Sequence, residues 1–76
     1  MDTLRDYLNS MSPPEQVEFA ARCGTSVGYL RKAISLGQNL GDRIVIAIER
    51  ESDGAVTCES LRPDVDWKFL RGTAVA

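Results

Sequence analysis

Residues 16–36, QVEFAARCGTSVGYLRKAISL, decide the fold. They divide into two short helices joined by a tight turn at Gly24. Val17, Phe19, Ala20 and Ala21 give the first helix an apolar side, and Cys23 closes it. A helix stops most readily at a residue that takes left-handed backbone angles without strain, and Gly24 stands where one is needed. Thr25 or Ser26 then offers a side-chain oxygen to the free amides of a new helix. Leu30, Ala33 and Ile34 recur at i, i+3 and i+4, so the second helix also carries an apolar stripe. Arg31 and Lys32 lie off it. An ordinary helical hairpin in a core has the same periodicity, so the stripe by itself specifies packing and not function.

Gln16, Ala20, Gly24, Ser26 and Leu30 carry more than the stripe does. At this spacing the segment resembles the helix-turn-helix of lambda-repressor-like and Cro-like DNA-binding proteins. A small residue at Ala20 suits the close crossing of the two helices, and Leu30 suits the pocket between them. The resemblance implies a recognition helix over about 26–36. In that pattern Ser26, Val27, Gly28, Arg31 and Lys32 face the major groove. Base edges are read mainly from the N-terminal part of such a helix, while flanking groups hold phosphates. Val27 would touch a thymine methyl, and Arg31 or Lys32 would reach guanine O6 and N7. Gln16 matches a position that contacts phosphate in relatives. Arg22, Ser35 and Asn39 are further phosphate candidates. Gly28 departs from the long polar residue often found at its position, so direct readout there is in question.

Outward from this segment, residues 3–11 read as an amphipathic helix, with Leu4, Tyr7, Leu8 and Met11 on one side and Thr3 and Asp6 as a capping pair. Ser12-Pro13-Pro14-Glu15 is a helix start. Ser12 caps, Pro13 suits the first helical position, and Glu15 completes a capping box. Residues 37–39 form a loop, from which Asn39 with Asp42 would cap the next element.

Residues 40–57 are divided between two readings. Leu40, Ile44, Ala47, Ile48 and Glu51 make a helical stripe, yet Ile44-Val45-Ile46-Ala47-Ile48 is rich in β-branched residues and Asp53-Gly54 is a hairpin signal. Glu49-Arg50-Glu51 tips the balance to helix, because these residues sit poorly in strands, and Asp42 and Arg50 suit the two ends of a helix dipole. Val45 and Ile46 fall partly off the stripe, so one of them is expected to face a partner subunit. Thr57 caps a short helix containing Glu59 and Leu61, which stops before Pro63. Val65, Trp67, Phe69 and Leu70 are too apolar for a tail and are expected to pack on the core or on a second subunit.

The ending G-A-V-T…L-R-P-D…W, residues 54–67, is similar to that of small phage-type regulators of the YdaS and Cro group. That resemblance extends over most of the chain, from Leu4 to Trp67. It implies a cytoplasmic protein that binds operator DNA, usually as a dimer, and in YdaS-type members an antitoxin-like repressor beside a partner gene. The expected fold is all-α, a five-helix lambda repressor-like helix-turn-helix domain over residues 1–71 with a frayed tail at 72–76. Cro-like proteins include helix-plus-strand members, so the alternative is an α+β fold with a C-terminal hairpin.

Composition bounds these expectations. A chain of 76 residues is one domain at most, and a core this small is commonly enlarged by oligomerisation. No apolar run is long enough for a transmembrane helix, and MDTLRDYL lacks a signal-peptide core. Cys23 and Cys58 therefore read as reduced thiols, and with no histidine and no CxxC a zinc site has no basis. No cofactor is expected. The net charge is −2, but residues 19–41 hold Arg22, Arg31 and Lys32 and no acid, leaving −5 for the rest. Positive charge is thus concentrated on the proposed reading head.

Catalysis would need a carboxylate pair or a thiolate, and Cys23 has no identifiable base beside it, so an enzyme is not expected. The competing functional class is a protein-interaction module, in which the apolar segments 40–48 and 61–70 bind a partner such as a toxin. Salt separates the two, since DNA binding weakens steeply with salt and an apolar interface changes little.

Overall fold

A computed structural model describes residues 2–70. The expected frayed tail at 72–76 lies outside the described residues. Every regular element among those residues is helical: α1 Asp2–Asn9, α2 Pro13–Arg22, α3 Val27–Leu36, α4 Asp42–Glu51 and α5 Cys58–Leu61. Residues 67–70 add a further helical turn. No strand occurs among the described residues, so the hairpin alternative is not realised.

Leu4 and Leu8 of α1, Phe19 and Ala20 of α2, Leu30 and Ala33 of α3, and Val45, Ala47 and Ile48 of α4 meet in one core, closed by Leu40, Val56, Cys58, Leu61 and Trp67. α3 packs on α1 and α2, and α4 packs on α2 and α5. The Tyr7 and Phe19 rings lie 5.2 Å apart in a tilted pair that ties α1 to α2.

The start of α2 is as the sequence expects. Glu15 N donates to Ser12 Oγ at 3.4 Å, and Ser12 N donates back to Glu15 Oε1 at 2.9 Å. Both Pro13 and Pro14 sit in the first turn, where no amide partner is lost. Val17 and Ala21, by contrast, are exposed. The buried side of α2 is Phe19, Ala20 and the closing Cys23, a narrower stripe than the sequence suggested. Thr3 lies inside α1 and does not cap it.

Helix α4 is correct in kind but not in length. It begins after Gly41, which has no side-chain cap, so Asn39 does not cap it. It ends at Glu51. Asp53 and Gly54 both take left-handed angles, with φ of 53° and 82°, and Gly54 N donates to Glu49 O at 3.0 Å. Asp-Gly here ends a helix and does not join two strands, and residues 52–57 are not helical. Ser52 is buried, its hydroxyl accepting from Val56 N at 3.1 Å and so folding Val56 back into the core. Val45 is fully buried, whereas Ile46 is 49% exposed, so only Ile46 is available to a partner.

The L-R-P-D…W ending has a mechanical explanation. The Arg62 guanidinium donates to Leu40 O at 2.9 Å, to Asp42 Oδ1 at 3.2 Å, and to both carboxylate oxygens of Asp64. Trp67 Nε1 donates to Arg62 O at 2.7 Å. Arg62 thereby joins the loop before α4, the first residue of α4 and the C-terminal segment. Trp67 is buried against the core, but Phe69 and Leu70 are exposed at 68% and 47%.

Candidate nucleic-acid interface

Between α2 and α3 the chain turns through Cys23, Gly24 and Thr25. Cys23 retains right-handed angles, and Gly24 carries the left-handed φ of 77°. Thr25 N donates to Ala20 O at 3.0 Å and closes the α2 terminus. Ser26 is the cap of α3, its Oγ accepting from Tyr29 N at 3.1 Å. Of the two capping candidates, Ser26 fills the role.

With 100° between successive residues, burial of Leu30 and Ala33 leaves the opposite side of α3 to Gly28, Lys32 and Ser35, all exposed. Val27 is half-buried and packs against the core, so only part of it faces outward. A Cβ added to Gly28 would meet nothing nearer than Ser26 Oγ at 4.0 Å. The absence of a side chain is therefore not demanded by internal packing. It leaves a low point in the middle of the exposed side.

Arg31 and Lys32 are not equivalent. Lys32 is exposed. Arg31 is half-buried, and its Nη2 donates to Gln16 Oε1 at 3.2 Å. Gln16 Nε2 in turn donates to Met11 O at 3.0 Å. The chain Met11–Gln16–Arg31 fixes a cation beside the first turn of α2, at the flank of the exposed side of α3.

Arg22 lies at the other end of α2. Its Nε is 3.1 Å from Glu51 Oε1, and Arg50 meets the same carboxylate at 2.9 Å. Arg22, Arg43 and Arg50 line one open groove with Gly24, Ile46 and Ala47 between them. Charge counted by sequence stretch therefore misplaces three residues. Arg22, assigned to the reading head, is paired with Glu51 of α4, a carboxylate it shares with Arg50. Arg43 and Arg50, assigned to the acidic remainder, join it. The positive charge carried by α3 itself is Arg31 and Lys32. Ser35 and Asn39 are both exposed, Ser35 on the outer side of α3 and Asn39 in the following loop.

Tyr29 is a residue the sequence reading passed over. It is 43% exposed on α3, next to Gly28. Its signal was available, since it too lies off the Leu30–Ala33–Ile34 stripe.

Cys23 is buried, and burial, followed by the nearby Glu51 charge, pushes its thiol up to about 11. A thiol held protonated in this way is a poor nucleophile. Cys58 is also buried and unbridged. No group of side chains able to hold a metal occurs among the described residues, and no helix among them is long and apolar enough to cross a membrane.

No protein-family model matches the chain, and no solved structure matches it significantly. Two bacterial proteins are similar in sequence. A stretch of 28 residues, 37% of this chain, is 61% identical to the putative transcriptional regulator YdaS of Escherichia coli K12, and covers 29% of that protein. Over 62 residues, 82% of this chain and 94% of the relative, it is 29% identical to a prophage transcriptional regulatory protein of the same strain. The chain thus matches less than a third of the length of the first relative and almost the whole of the second.

Proposed function

We infer that the protein is a sequence-specific DNA-binding transcriptional regulator of Cro-like type, a prophage repressor that reads a palindromic operator through α3. The observation that carries this reading is the division of labour around α3. A capped helix presents Gly28, Lys32 and Ser35 outward, while the Met11–Gln16–Arg31 chain holds a cation at its flank. This is the arrangement a helix-turn-helix needs, with base-reading groups in the groove and anchored groups on the phosphates. The names of the two similar bacterial proteins, both transcriptional regulators, support the same reading.

Within it, Lys32 reads a base edge, and Arg31 with Gln16 clamps a phosphate. Gly28 lets the helix backbone sit close to the bases. Val27, Ser26 and Tyr29 border this contact, and Ser35 and Asn39 approach the neighbouring backbone. Arg22 has no place in it, because Glu51 holds it at the far end of α2.

The toxin-binding alternative loses most of its surface in the folded chain. Leu40, Val45, Ala47, Ile48, Leu61 and Trp67 are all in the core. Selection of bound sequences from random duplex DNA, followed by titration in rising salt, tests the reading. A recovered inverted repeat and a linear fall of log affinity with log salt are expected. Recovery of no preferred sequence, or an affinity indifferent to salt, overturns it.

A further inference from the structure

The open groove between the end of α2 and the outer side of α4 is cationic at its rim and apolar at its floor. Arg43, Ile46, Ala47 and Arg50 fall at i, i+3, i+4 and i+7, so they form one stripe along α4. The end of α2 adds Arg22, Cys23 and Gly24. Ile46 is 49% exposed, and with the buried Ala47 and Cys23 it makes the floor. Burial holds the Cys23 thiol protonated, so it adds no negative charge. All three arginines are exposed.

These arginines are held but not saturated. Glu51 Oε1 accepts from Arg22 Nε at 3.1 Å, and its Oε2 accepts from Arg50 Nε at 2.9 Å. One carboxylate thus anchors two guanidiniums by their inner nitrogens. Their terminal nitrogens have no partner among the described residues, and Arg43 has none there at all. Three guanidiniums against one carboxylate leave the groove positive on a chain whose net charge is −2. A negatively charged partner is therefore drawn to this groove and repelled by much of the remaining surface.

We propose that this groove docks an acidic, extended segment of another protein, with carboxylates on the arginines and an aliphatic side chain on Ile46. Two turns of α4 separate Arg43 from Arg50, roughly 10 Å of axial rise, which no single carboxylate spans. Alternate residues of an extended segment share one side. Acid, aliphatic and acid at i, i+2 and i+4 therefore put a carboxylate at each end and an apolar group between them. The free guanidinium edges suit bidentate pairing with carboxylates. A DNA backbone also offers spaced anions, but it has no aliphatic group to cover Ile46. Anchoring by Glu51 lowers the side-chain entropy lost when Arg22 and Arg50 bind.

The test uses the full chain without DNA, so it does not depend on the operator reading. The probe is a blocked synthetic peptide with glutamate, leucine and glutamate at alternate positions, separated by serines. Titration by calorimetry and by backbone amide shifts should give saturable binding, with the shifts centred on Gly24, Ile46 and Ala47. Serine in place of the leucine should weaken binding, and lysines in place of the glutamates should abolish it. Arg43→Ala and Ile46→Ser should each weaken it roughly fivefold or more with unchanged melting curves. The peptide controls leave the protein unaltered, so a fold defect cannot imitate them. No saturable binding, shifts centred on α3, or equal binding of the serine peptide overturns the proposal. Arg43→Ala is also titrated with duplex DNA in rising salt, and an unchanged salt slope is expected. A slope reduced by about 1 assigns the groove to phosphate and overturns the proposal. Self-association of the native chain that Arg43→Ala abolishes, with no peptide bound, assigns it to a second copy and overturns it too.

Discussion

At the residue scale, Arg31 and Lys32 are neighbours in sequence with different surroundings. The Gln16 bond holds Arg31 to the flank, and Lys32 is free to reach outward. Lys32→Ala should cost about 1–3 kcal/mol of operator affinity and relax the preference at one base pair of each half-site. Arg31→Ala should weaken binding evenly across sequences and reduce the salt slope by about 1. Competition titrations against a panel of single-base operator variants separate the two outcomes. Gly28 gives a sharper contrast. An alanine there meets no neighbour closer than 4.0 Å and removes backbone freedom from a helix. Gly28→Ala should stabilise the fold by about 0.5–1 kcal/mol in chemical denaturation. If the glycine admits a close approach to DNA, the same variant binds operator less well.

At the scale of elements, the turn between α2 and α3 depends on one backbone conformation. Gly24 has a φ of 77°, and a Cβ there would meet no atom within 4 Å. Gly24→Ala should therefore destabilise by about 1–2 kcal/mol through backbone strain alone, with the fold retained. A loss in denaturant midpoint with unchanged slope is the expected result.

Helix ends also set the response to acid. Glu15 is held below the ordinary glutamate value by the Ser12 amide and hydroxyl. Glu51 is held down first by its bond from Arg50, and Asp64 first by its bond from Arg62. A carboxylate whose pKa is depressed in the folded chain adds stability above its unfolded pKa, and that stability is lost as pH falls through the folded value. The melting temperature should stay flat from neutral pH down to the ordinary carboxylate range and fall below it. Glu15→Gln should flatten part of that fall, read by circular dichroism melts across the acid range.

Across the whole molecule, the C-terminal segment closes a core that α1 to α4 leave open. Trp67 is 5% exposed, and its indole is bonded to the carbonyl of the residue whose guanidinium holds Leu40 and Asp42. Trp67→Ala should cost about 3–5 kcal/mol. That is a large share of the roughly 5–15 kcal/mol available to a natural domain. Calorimetry should show a sharply lowered melting temperature or no cooperative transition. Phe69 and Leu70 lie outside that closure, and Phe69→Ser should leave the melt nearly unchanged.

Features legible from residue order are local ones. The Ser12 capping box, the Gly24 turn, the Thr57 cap and the span of α3 follow from residue types a few positions apart, because the groups that satisfy a helix end lie within one turn of it. The helical nature of α4 was legible from Glu49-Arg50-Glu51, against its β-branched run. Tertiary packing decided which apolar and charged residues share a surface. Val45 is buried and Ile46 is not because α4 packs between α2 and α5, and a single 100° step separates core from solvent. Arg31 was committed to Gln16, and Arg22 to Glu51, by the crossing of helices distant in sequence. Electrostatic energy depends on separation in space, and a count of charges along the chain holds no information about that.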